Sequence, residues 1–240
     1  MKNIYKNILA SISKREKLLA VLIDPDKMMP EDISGFIQKV NNSKITHVFV
    51  GGSKVEESIT DILVTKITQH TSLPIVLFPG DITQISKNAD ALLFLSLISG
   101  RNSDYLIGKH VAAVSMLRHT NLEVIPTGYV LIENGKKTSV QKETQTQPMP
   151  RNNIQHIIDT AIAGEFLGMK FIYLEAGSGA THPIDSVMIS KVKNSLNIPL
   201  IIGGGIRSKH QLEQAYNAGA DLVVIGTAFE EDESFFKELV

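Results

Sequence analysis

The stretch that decides the fold is "IPLIIGGGIRSKHQLEQAYNAGADLVVIGTAFE", residues 198–230. It begins with a short apolar run, passes through three glycines into a segment with helical spacing, and returns to a second apolar run rich in β-branched residues. Short apolar runs on either side of an amphipathic helix are typical of parallel strands that are buried on both faces. The stretch therefore predicts one strand–helix–strand unit.

The same pattern recurs along the chain and predicts a barrel. We expect strands at residues 17–24, 46–52, 73–80, 91–100, 124–133, 170–179, 198–205 and 221–229. We expect helices at residues 30–42, with Pro30 at the helix start, and at 54–70, 103–119, 152–168, 183–196 and 208–220. Eight βα units in a chain of 240 residues fit an α/β fold of the (β/α)8 TIM barrel class, as a single domain over residues 1–240. An open doubly wound sheet is the alternative, which the eight strand runs and the lack of a linker disfavour.

The third unit of this barrel is expected to be irregular. Only "DITQISKNAD", residues 81–90, separates the third and fourth strands. That length leaves room for a short third helix at most.

Composition and charge exclude several classes of function. The chain has 24 basic and 25 acidic side chains, a net charge of −1, so it shows no electrostatic footprint for nucleic acid. It contains no cysteine, which excludes disulfides, thiolate nucleophiles and cysteine-based zinc sites. The amino-terminal residues 1–17 lack the apolar core of a signal peptide, and the apolar run 91–100 is too short to span a bilayer. We expect a soluble cytoplasmic protein.

The ends of the last two strands predict a phosphate site. Catalytic and binding groups of a barrel lie at the carboxyl ends of its strands, and here these ends read "GGGIRS" and "GTAFE". Glycine has no Cβ, so its backbone N–H can approach an anion closely. One phosphate group is predicted there. The alternative is that Gly203, Gly204 and Gly205 only form a tight turn.

The ends of the first two strands resemble a cation site. Asp24 and Asp26 flank Pro25 after the first strand, and Ser53 follows the second. Magnesium prefers hard oxygen ligands and takes few of them from the protein, so one carboxylate and one hydroxyl suffice. The alternative is a turn followed by a helix cap, in which the aspartates accept backbone hydrogen bonds. A metal beside a phosphate site would imply a second phosphorylated group that the metal bridges.

A carboxylate, Glu175, lies at the end of the sixth strand in "YLEAGSGA". Alternation places Tyr173 and Glu175 on one face, and a charge there is costly unless it faces the barrel mouth or is paired. We expect Glu175 to bind and deprotonate a hydroxyl beside the phosphate site, with the Tyr173 phenol as a second polar contact. A structural salt bridge with a Lys or Arg is the alternative.

A long polar segment follows the fifth strand. Residues 133–151 read "ENGKKTSVQKETQTQPMPR" and carry almost no apolar side chains. A loop of this length inside a compact domain is usually functional or disordered. We predict a mobile lid over the barrel mouth; a surface loop without function is the alternative.

Taken together, the strand ends resemble one family. "LIDPDK", "VGGS", "FPG", "YLEAGSGA", "GGGIRS" and "ADLVVIGTAFE" follow in this order over nearly the whole chain. They are similar to the motifs of the geranylgeranylglyceryl phosphate synthases, in the branch that has "EAGSG". The resemblance implies a magnesium-dependent prenyltransferase that joins the 3-hydroxyl of sn-glycerol 1-phosphate to C1 of a polyprenyl diphosphate, with geranylgeranyl as the expected chain. The product would be an ether lipid precursor, and diphosphate would be released.

Matching the motifs residue by residue assigns roles in this chain. Asp24 and Ser53 would hold Mg²⁺, and Glu175 with Tyr173 would act in catalysis. The resemblance implies contacts with sn-glycerol 1-phosphate from Tyr173, Leu174, Glu175, Ala176, Gly177, Ser178, Gly179, Gly204, Gly205, Gly226 and Thr227. The shorter-motif branch has a lysine two positions before its first aspartate, where this chain has Leu22, so that contact is not carried over.

A prenyl tail requires an apolar groove, which Phe78, Phe94 and Leu95 could line together with the thin third unit. The resemblance favours a homo-oligomer, and a lipid product implies at most peripheral contact with a membrane. Two other functions stay open from the sequence. One is an isomerase or lyase acting on a sugar phosphate, and the other is a non-catalytic barrel that binds a phosphorylated metabolite.

Overall fold

The fold is a closed parallel barrel. A computed structural model describes residues 3–53, 55, 58–231 and 235–239, without the side chains of Lys237 and Glu238. Within these residues eight strands close in sequence order, and the first pairs with the eighth. The strands are β1 Leu18–Ile23, β2 His47–Val50, β3 Ile75–Leu77, β4 Ala91–Ser96, β5 Glu123–Leu131, β6 Phe171–Glu175, β7 Leu200–Gly203 and β8 Leu222–Ile225. The predicted (β/α)8 barrel is confirmed, and the open sheet is wrong.

Helices surround this barrel. They are α1 Ile4–Ser13, α2 Ile33–Asn41, α3 Ile59–Thr68, α4 Lys109–Leu117, α5 Ser139–Thr144, α6 Ile154–Phe166, α7 Ser186–Asn194, α8 Lys209–Asn217, α9 Thr227–Glu231 and α10 Phe235–Glu238. A single 3₁₀ turn, Ile82–Gln84, stands between β3 and β4, so the third unit is short as predicted. A π turn, Asp104–Gly108, leads into α4.

Several predicted helix starts differ from the structure: α4 begins at Lys109 and α7 at Ser186, six and three residues after the predicted positions. Helix α2 begins at Ile33, three residues after Pro30, because residues 30–32 form a turn before the helix. Helix α3 begins at Ile59, and the earlier part of the predicted segment includes Lys54, Glu56 and Glu57, which lie outside the described residues.

Alternation along the strands divides the core into two layers. Inward-facing side chains such as Phe49, Leu93 and Tyr173 fill the barrel interior. Outward-facing ones such as Val48, Leu92 and Leu174 pack against the helices. Strands buried on both faces explain the near-continuous apolar runs of the sequence.

Helix α1 closes the amino-terminal end of the barrel. Ile4 and Ile8 are buried in the interior layer, and Tyr5 packs edge-on against Phe171 at the start of β6 with 5.2 Å between ring centroids. The Glu123 carboxylate, at the start of β5, accepts the backbone N–H groups of Ile4 and Tyr5. The amphipathic spacing at the amino terminus therefore belongs to a helix that plugs the barrel floor.

Replacement of Ile8 by alanine is expected to destabilise the fold by about 2 to 5 kcal/mol, since a buried Ile→Ala change leaves a cavity. Ile8 is 3% exposed, whereas its neighbour Leu9 is 38% exposed, so Leu9→Ala is the matched control and should change stability by roughly 0.5 kcal/mol or less. Urea unfolding measures both values. Equal effects of the two substitutions would show that α1 does not plug the barrel.

The segment of residues 133–151 is folded rather than an open loop. Thr138 caps α5 by accepting the Gln141 N–H at 3.1 Å, and Ile132 pairs with Met149 in an isolated parallel bridge. Thr138, Thr144 and Met149 are buried, so polar threonines supply anchors that the hydrophobic pattern does not show. Helix α5 covers the carboxyl-terminal mouth of the barrel. Its motion as a lid stays a prediction.

No helix in the described part of the chain has the length and apolar character needed to cross a membrane.

Candidate active site

The carboxyl-terminal mouth of the barrel contains a polar cavity. Its walls bring together nine of the residues predicted from the strand ends, which are Asp24, Ser53, Tyr173, Glu175, Ser178, Gly204, Gly205, Gly226 and Thr227. Leu22, Lys27, Tyr129, Val140, Glu143 and Glu230 also line it. The polar cavity is thus built from the ends of several strands and covered by α5.

Four predicted contact residues lie behind this lining. The side chains of Leu174 and Ala176 are fully buried in the outer layer, because alternation along β6 points them towards the helices. The backbone of Ala176 is also engaged, with its N–H on the Gly203 carbonyl at 3.0 Å. Gly177 and Gly179 shape the loop that carries Ser178, and the Gly179 N–H donates to Thr227 Oγ1 at 3.1 Å. The structure therefore does not support a direct contact between the side chain of Leu174 or Ala176 and sn-glycerol 1-phosphate.

Glu175 is buried, 6% exposed, at the inner end of the polar cavity. Its carboxylate accepts the Gly177 N–H, and the backbone N–H and carbonyl of β6 hold it in register with β5 and β7. Burial raises its pKa from the ordinary value of 4.5 to about 7, against the opposing effects of the Gly177 N–H and the Tyr173 hydroxyl. Among the described residues Glu175 makes no salt bridge, so the alternative of a structural salt bridge with a Lys or Arg is not supported. A carboxyl group with a pKa near 7 is suited to act as a general base.

The Tyr173 hydroxyl lies beside this carboxyl group. A Cβ atom on Gly203 would lie 2.8 Å from Glu175 Oε2 and would overlap the Tyr173 hydroxyl, so glycine at 203 makes room for both side chains. The hydroxyl is buried and makes no hydrogen bond of standard geometry within the described structure, although it is close enough to the Glu175 carboxyl group to oppose the rise of that group's pKa. Burial and the Glu175 charge raise the pKa of Tyr173 well above its ordinary range, so it is a neutral donor. A buried donor without a partner is costly, and a ligand oxygen would remove that cost.

The two glycines after β7, Gly204 and Gly205, shape the part of the polar cavity where a phosphate group is predicted. Gly204 and Gly205 have φ values of +85° and +77°, which side chains rarely adopt. A Cβ on Gly204 would also collide with the Glu175 carboxylate. Opposite these glycines, the hydroxyls of Ser178 and Thr227 lie 3.2 Å apart. Backbone groups and two hydroxyls thus surround one corner of the polar cavity, as a phosphate group requires.

The cation prediction rests on Asp24 and Ser53, which both line the polar cavity. A Cβ on Gly52 would lie 2.8 Å from Asp24 Oδ1, so the turn after β2 leaves room for the carboxylate. Burial is the main influence on Asp24 and raises its pKa. Lys27 is 3.7 Å from Asp24 but bonds more closely to Glu230, at 2.8 Å. The described residues contain no group of three or more His, Asp or Glu side chains that could hold a metal. A carboxylate with a hydroxyl fits magnesium, which keeps substrate oxygens and water as its other ligands.

An apolar groove begins beside this site and passes between the 3₁₀ turn, β4 and α4. All three predicted groove residues, Phe78, Phe94 and Leu95, line it, and it reaches Gly52 and Ser53 at its inner end. The 3₁₀ turn contributes Ile82 and Ile85. The thin third unit therefore opens a passage that a full helix would fill. Its remaining apolar lining is Pro79, Leu92, Leu93, Leu97, Ala113 and Val140.

An aromatic cluster separates the polar cavity from the apolar groove. The ring centroids of Tyr129 and Tyr173 are 5.4 Å apart in a stacked pair, and Phe78 lies 6.0 Å from Tyr129 and 5.2 Å from Tyr173. Phe78 and Tyr129 line both spaces. Tyr129 was not singled out in the sequence. Its inward position on β5 is the only local signal, and many core tyrosines share that signal.

Comparisons with known proteins agree with this geometry. The PcrB family model matches residues 11–240. A geranylgeranylglyceryl phosphate synthase of Flavobacterium johnsoniae is 54% identical over 97% of this chain and 96% of its own length, and one of Zunongwangia profunda is 50% identical over 97% and 99%. The crystal structure of (S)-3-O-geranylgeranylglyceryl phosphate synthase from Thermoplasma acidophilum in complex with sn-glycerol-1-phosphate superposes with a TM-score of 0.92 at 29% identity, covering 100% of this chain and 96% of that one. The chain therefore belongs to the PcrB family, and its predicted resemblance to the geranylgeranylglyceryl phosphate synthases is confirmed.

Proposed function

We propose that the protein is a magnesium-dependent prenyltransferase that joins the 3-hydroxyl of sn-glycerol 1-phosphate to C1 of a polyprenyl diphosphate. One observation carries the proposal: the polar cavity that contains Glu175 and Asp24 adjoins the apolar groove. Ser53, Phe78 and Tyr129 line both spaces. The relatives named above are called geranylgeranylglyceryl phosphate synthases, which supports prenyl transfer to glycerol phosphate. A polar acceptor and an apolar donor would thus meet at a single point.

Glu175 would serve the acceptor. The hydroxyl of the bound glycerol phosphate would donate to the Glu175 carboxylate, with the Tyr173 hydroxyl donating to an acceptor oxygen nearby. As the hydroxyl oxygen bonds to C1 of the prenyl group, its proton passes to Glu175 and the bond from C1 to the diphosphate oxygen breaks. Holding both reactants in place removes the entropy cost of a bimolecular encounter, which is worth roughly 7 to 11 kcal/mol in the best-aligned cases.

Asp24 and Ser53 would hold Mg²⁺ at the junction of the two spaces. When bound, the ion would offset the negative charge of the departing diphosphate. Lys27 lies next to this position and would add positive charge on the same side.

The apolar groove favours this function over an isomerase or lyase of a sugar phosphate. A sugar phosphate is recognised chiefly through polar contacts, whereas nine of the 21 residues that line the groove are Phe, Leu, Ile or Val. A non-catalytic phosphate-binding barrel would need neither the groove nor the buried carboxyl group of Glu175. The expected donor is geranylgeranyl diphosphate, and the product is an ether lipid precursor.

Three finer expectations belong to this proposal. The chain would work in the cytoplasm and touch the membrane only peripherally, to release its lipid product. It would also assemble as a homo-oligomer. Exposed Val111 and Val114 on α4, with Ile107 in the π turn before it, offer an apolar face for that assembly.

The test is transfer of labelled sn-glycerol 1-phosphate into an organic phase with a series of prenyl diphosphates and Mg²⁺. We expect transfer with a long-chain donor, and its loss when a chelator is added. Binding of glycerol phosphate with no transfer to any donor would instead favour a sugar-phosphate enzyme or a binding barrel.

A further inference from the structure

The loop between β5 and α5 packs directly on the loop that follows β6. The Asn134 amide donates to the Ala176 carbonyl, and the Thr138 side chain lies against Gly177. Between them, Lys136 Nζ lies 3.0 Å from the position that a Cβ on Gly179 would occupy. Asn134 and Thr138, which make these contacts on either side of Lys136, are buried, so they fix the path of the loop. The Lys136 ammonium is thereby held over the loop that carries Ser178.

The other cations near this corner are already engaged. Lys27 bonds to Glu230 at 2.8 Å and lies 3.7 Å from Asp24. Arg207 donates through Nη1 to the Ala180 carbonyl at 2.8 Å and through Nε to Glu231 at 3.3 Å. Among the described residues, no carboxylate lies within salt-bridge distance of Lys136.

Within the described structure, the other cations beside the phosphate corner, Lys27 and Arg207, are each paired with a carboxylate, whereas Lys136 is not. The Ser178 and Thr227 hydroxyls and the glycines after β7 are neutral, and β1 contributes the apolar Leu22 to the same cavity. A phosphate monoester carries a charge of about −1.5 to −2 at neutral pH. Neutral donors alone would leave most of that charge without a counter-charge, and the Glu175 carboxyl group lies beside Gly204 in the same cavity.

We propose that Lys136 is the cationic ligand of the substrate's phosphate group, supplied from the loop before α5 rather than from a strand end. This inference rests on the proposed function, since it assigns the phosphate group to the corner formed by Ser178, Gly204, Gly205 and Thr227. It gives the segment of residues 133–151 a role in binding: ordering of this loop and binding of the phosphate group support each other.

Lys136→Ala should weaken the binding of sn-glycerol 1-phosphate roughly 10- to 100-fold, as expected for loss of a hydrogen bond to a charged group. Isothermal titration calorimetry without any prenyl donor measures this directly. In turnover, the KM for glycerol phosphate should rise by a similar factor, while the KM for the prenyl diphosphate stays unchanged. Lys136→Arg should restore part of the affinity, and added salt should weaken binding more in the wild type than in Lys136→Ala.

Lys137→Ala is the matched control, because Lys137 is the next residue, is also exposed, and is not among the nearest neighbours of the Cβ position at Gly177, Gly179, Gly204 or Gly205. It should bind glycerol phosphate like the wild type. Circular dichroism melting of all three variants checks that each is folded.

The outcomes separate this inference from the proposed function. Weaker phosphate binding in Lys136→Ala, with no prenyl transfer by the wild type, would support the Lys136 site and overturn the prenyltransferase. Equal binding by the wild type and by folded Lys136→Ala, with active transfer, would overturn the Lys136 site alone. No binding of glycerol phosphate by the wild type would overturn both.

Discussion

Glu175→Gln is expected to lower kcat roughly 100- to 10,000-fold, the usual range for loss of a general base. Glutamine keeps the size of the side chain and can still accept a hydrogen bond from the substrate hydroxyl, but it cannot take the proton. The KM for glycerol phosphate should therefore change much less than kcat. Initial rates of transfer of labelled glycerol phosphate give both constants. Turnover close to that of the wild type would remove Glu175 from the chemistry.

The pH dependence provides an independent check on the same residue. Burial raises the pKa of Glu175 to about 7, so the carboxylate that accepts the proton forms as the pH rises through that value. The groups that face it are the phenols of Tyr173 and Tyr129, whose pKa values burial raises well above their ordinary range, so both stay neutral throughout. The rate should fall as the pH is lowered through about 7 in the wild type. The residual activity of Glu175→Gln should lack this limb, while any limb from ionisation of the substrate phosphate remains in both.

The raised pKa of Glu175 also makes the stability of the folded protein depend on pH. The folded-state pKa of Glu175 lies above its unfolded value of 4.5, so its contribution to stability is fully present below pH 4.5. That contribution is lost as the pH rises through about 7, because the folded protein must then bury a charge. Glu175→Gln should consequently be no less stable than the wild type at pH 8. This separates a loss of chemistry from a loss of fold.

Asp24→Asn is expected to cost roughly 100-fold or more in transfer rate, because the stabilisation that a metal ion gives to a leaving group is worth several kcal/mol. The amide keeps the shape of the carboxylate and can still accept the Asp26 N–H, but it loses the charge that holds Mg²⁺. The rate should also require a higher concentration of Mg²⁺. Rates measured over a series of Mg²⁺ concentrations report both effects.

Asp26→Asn is the control for this experiment. Asp26 lies two residues further along the same turn, and its side chain is exposed. Its contact with Asp24 is made by its backbone N–H, which donates to Asp24 Oδ1 at 3.2 Å. The substitution removes one carboxylate from the same turn and leaves that hydrogen bond in place, so it should retain the rate and the Mg²⁺ dependence of the wild type. If Asp24→Asn behaves in the same way as Asp26→Asn, Asp24 is not a metal ligand.

The sequence by itself determined the barrel and most of the polar cavity. Strands buried on both faces require continuous apolar runs, and these runs are visible without the fold. The carboxyl ends of parallel strands meet at one edge, so Asp24, Ser53, Glu175 and Thr227 could be placed together although they are far apart in the chain. The inward direction of Glu175 followed from alternation along β6.

Only the tertiary structure decided what surrounds these strand ends. Alternation also turns Leu174 away from the polar cavity, and only the packed barrel shows that its side chain is buried against the helices. The position of Lys136 over Gly179 depends on contacts between residues about 40 positions apart, through Asn134 and Ala176, and no local pattern records such a contact. Helix α5 is anchored by buried threonines, which a hydrophobic pattern does not reveal. Periodicity reports which face of an element is buried, whereas the partner on that face is set by how the elements pack.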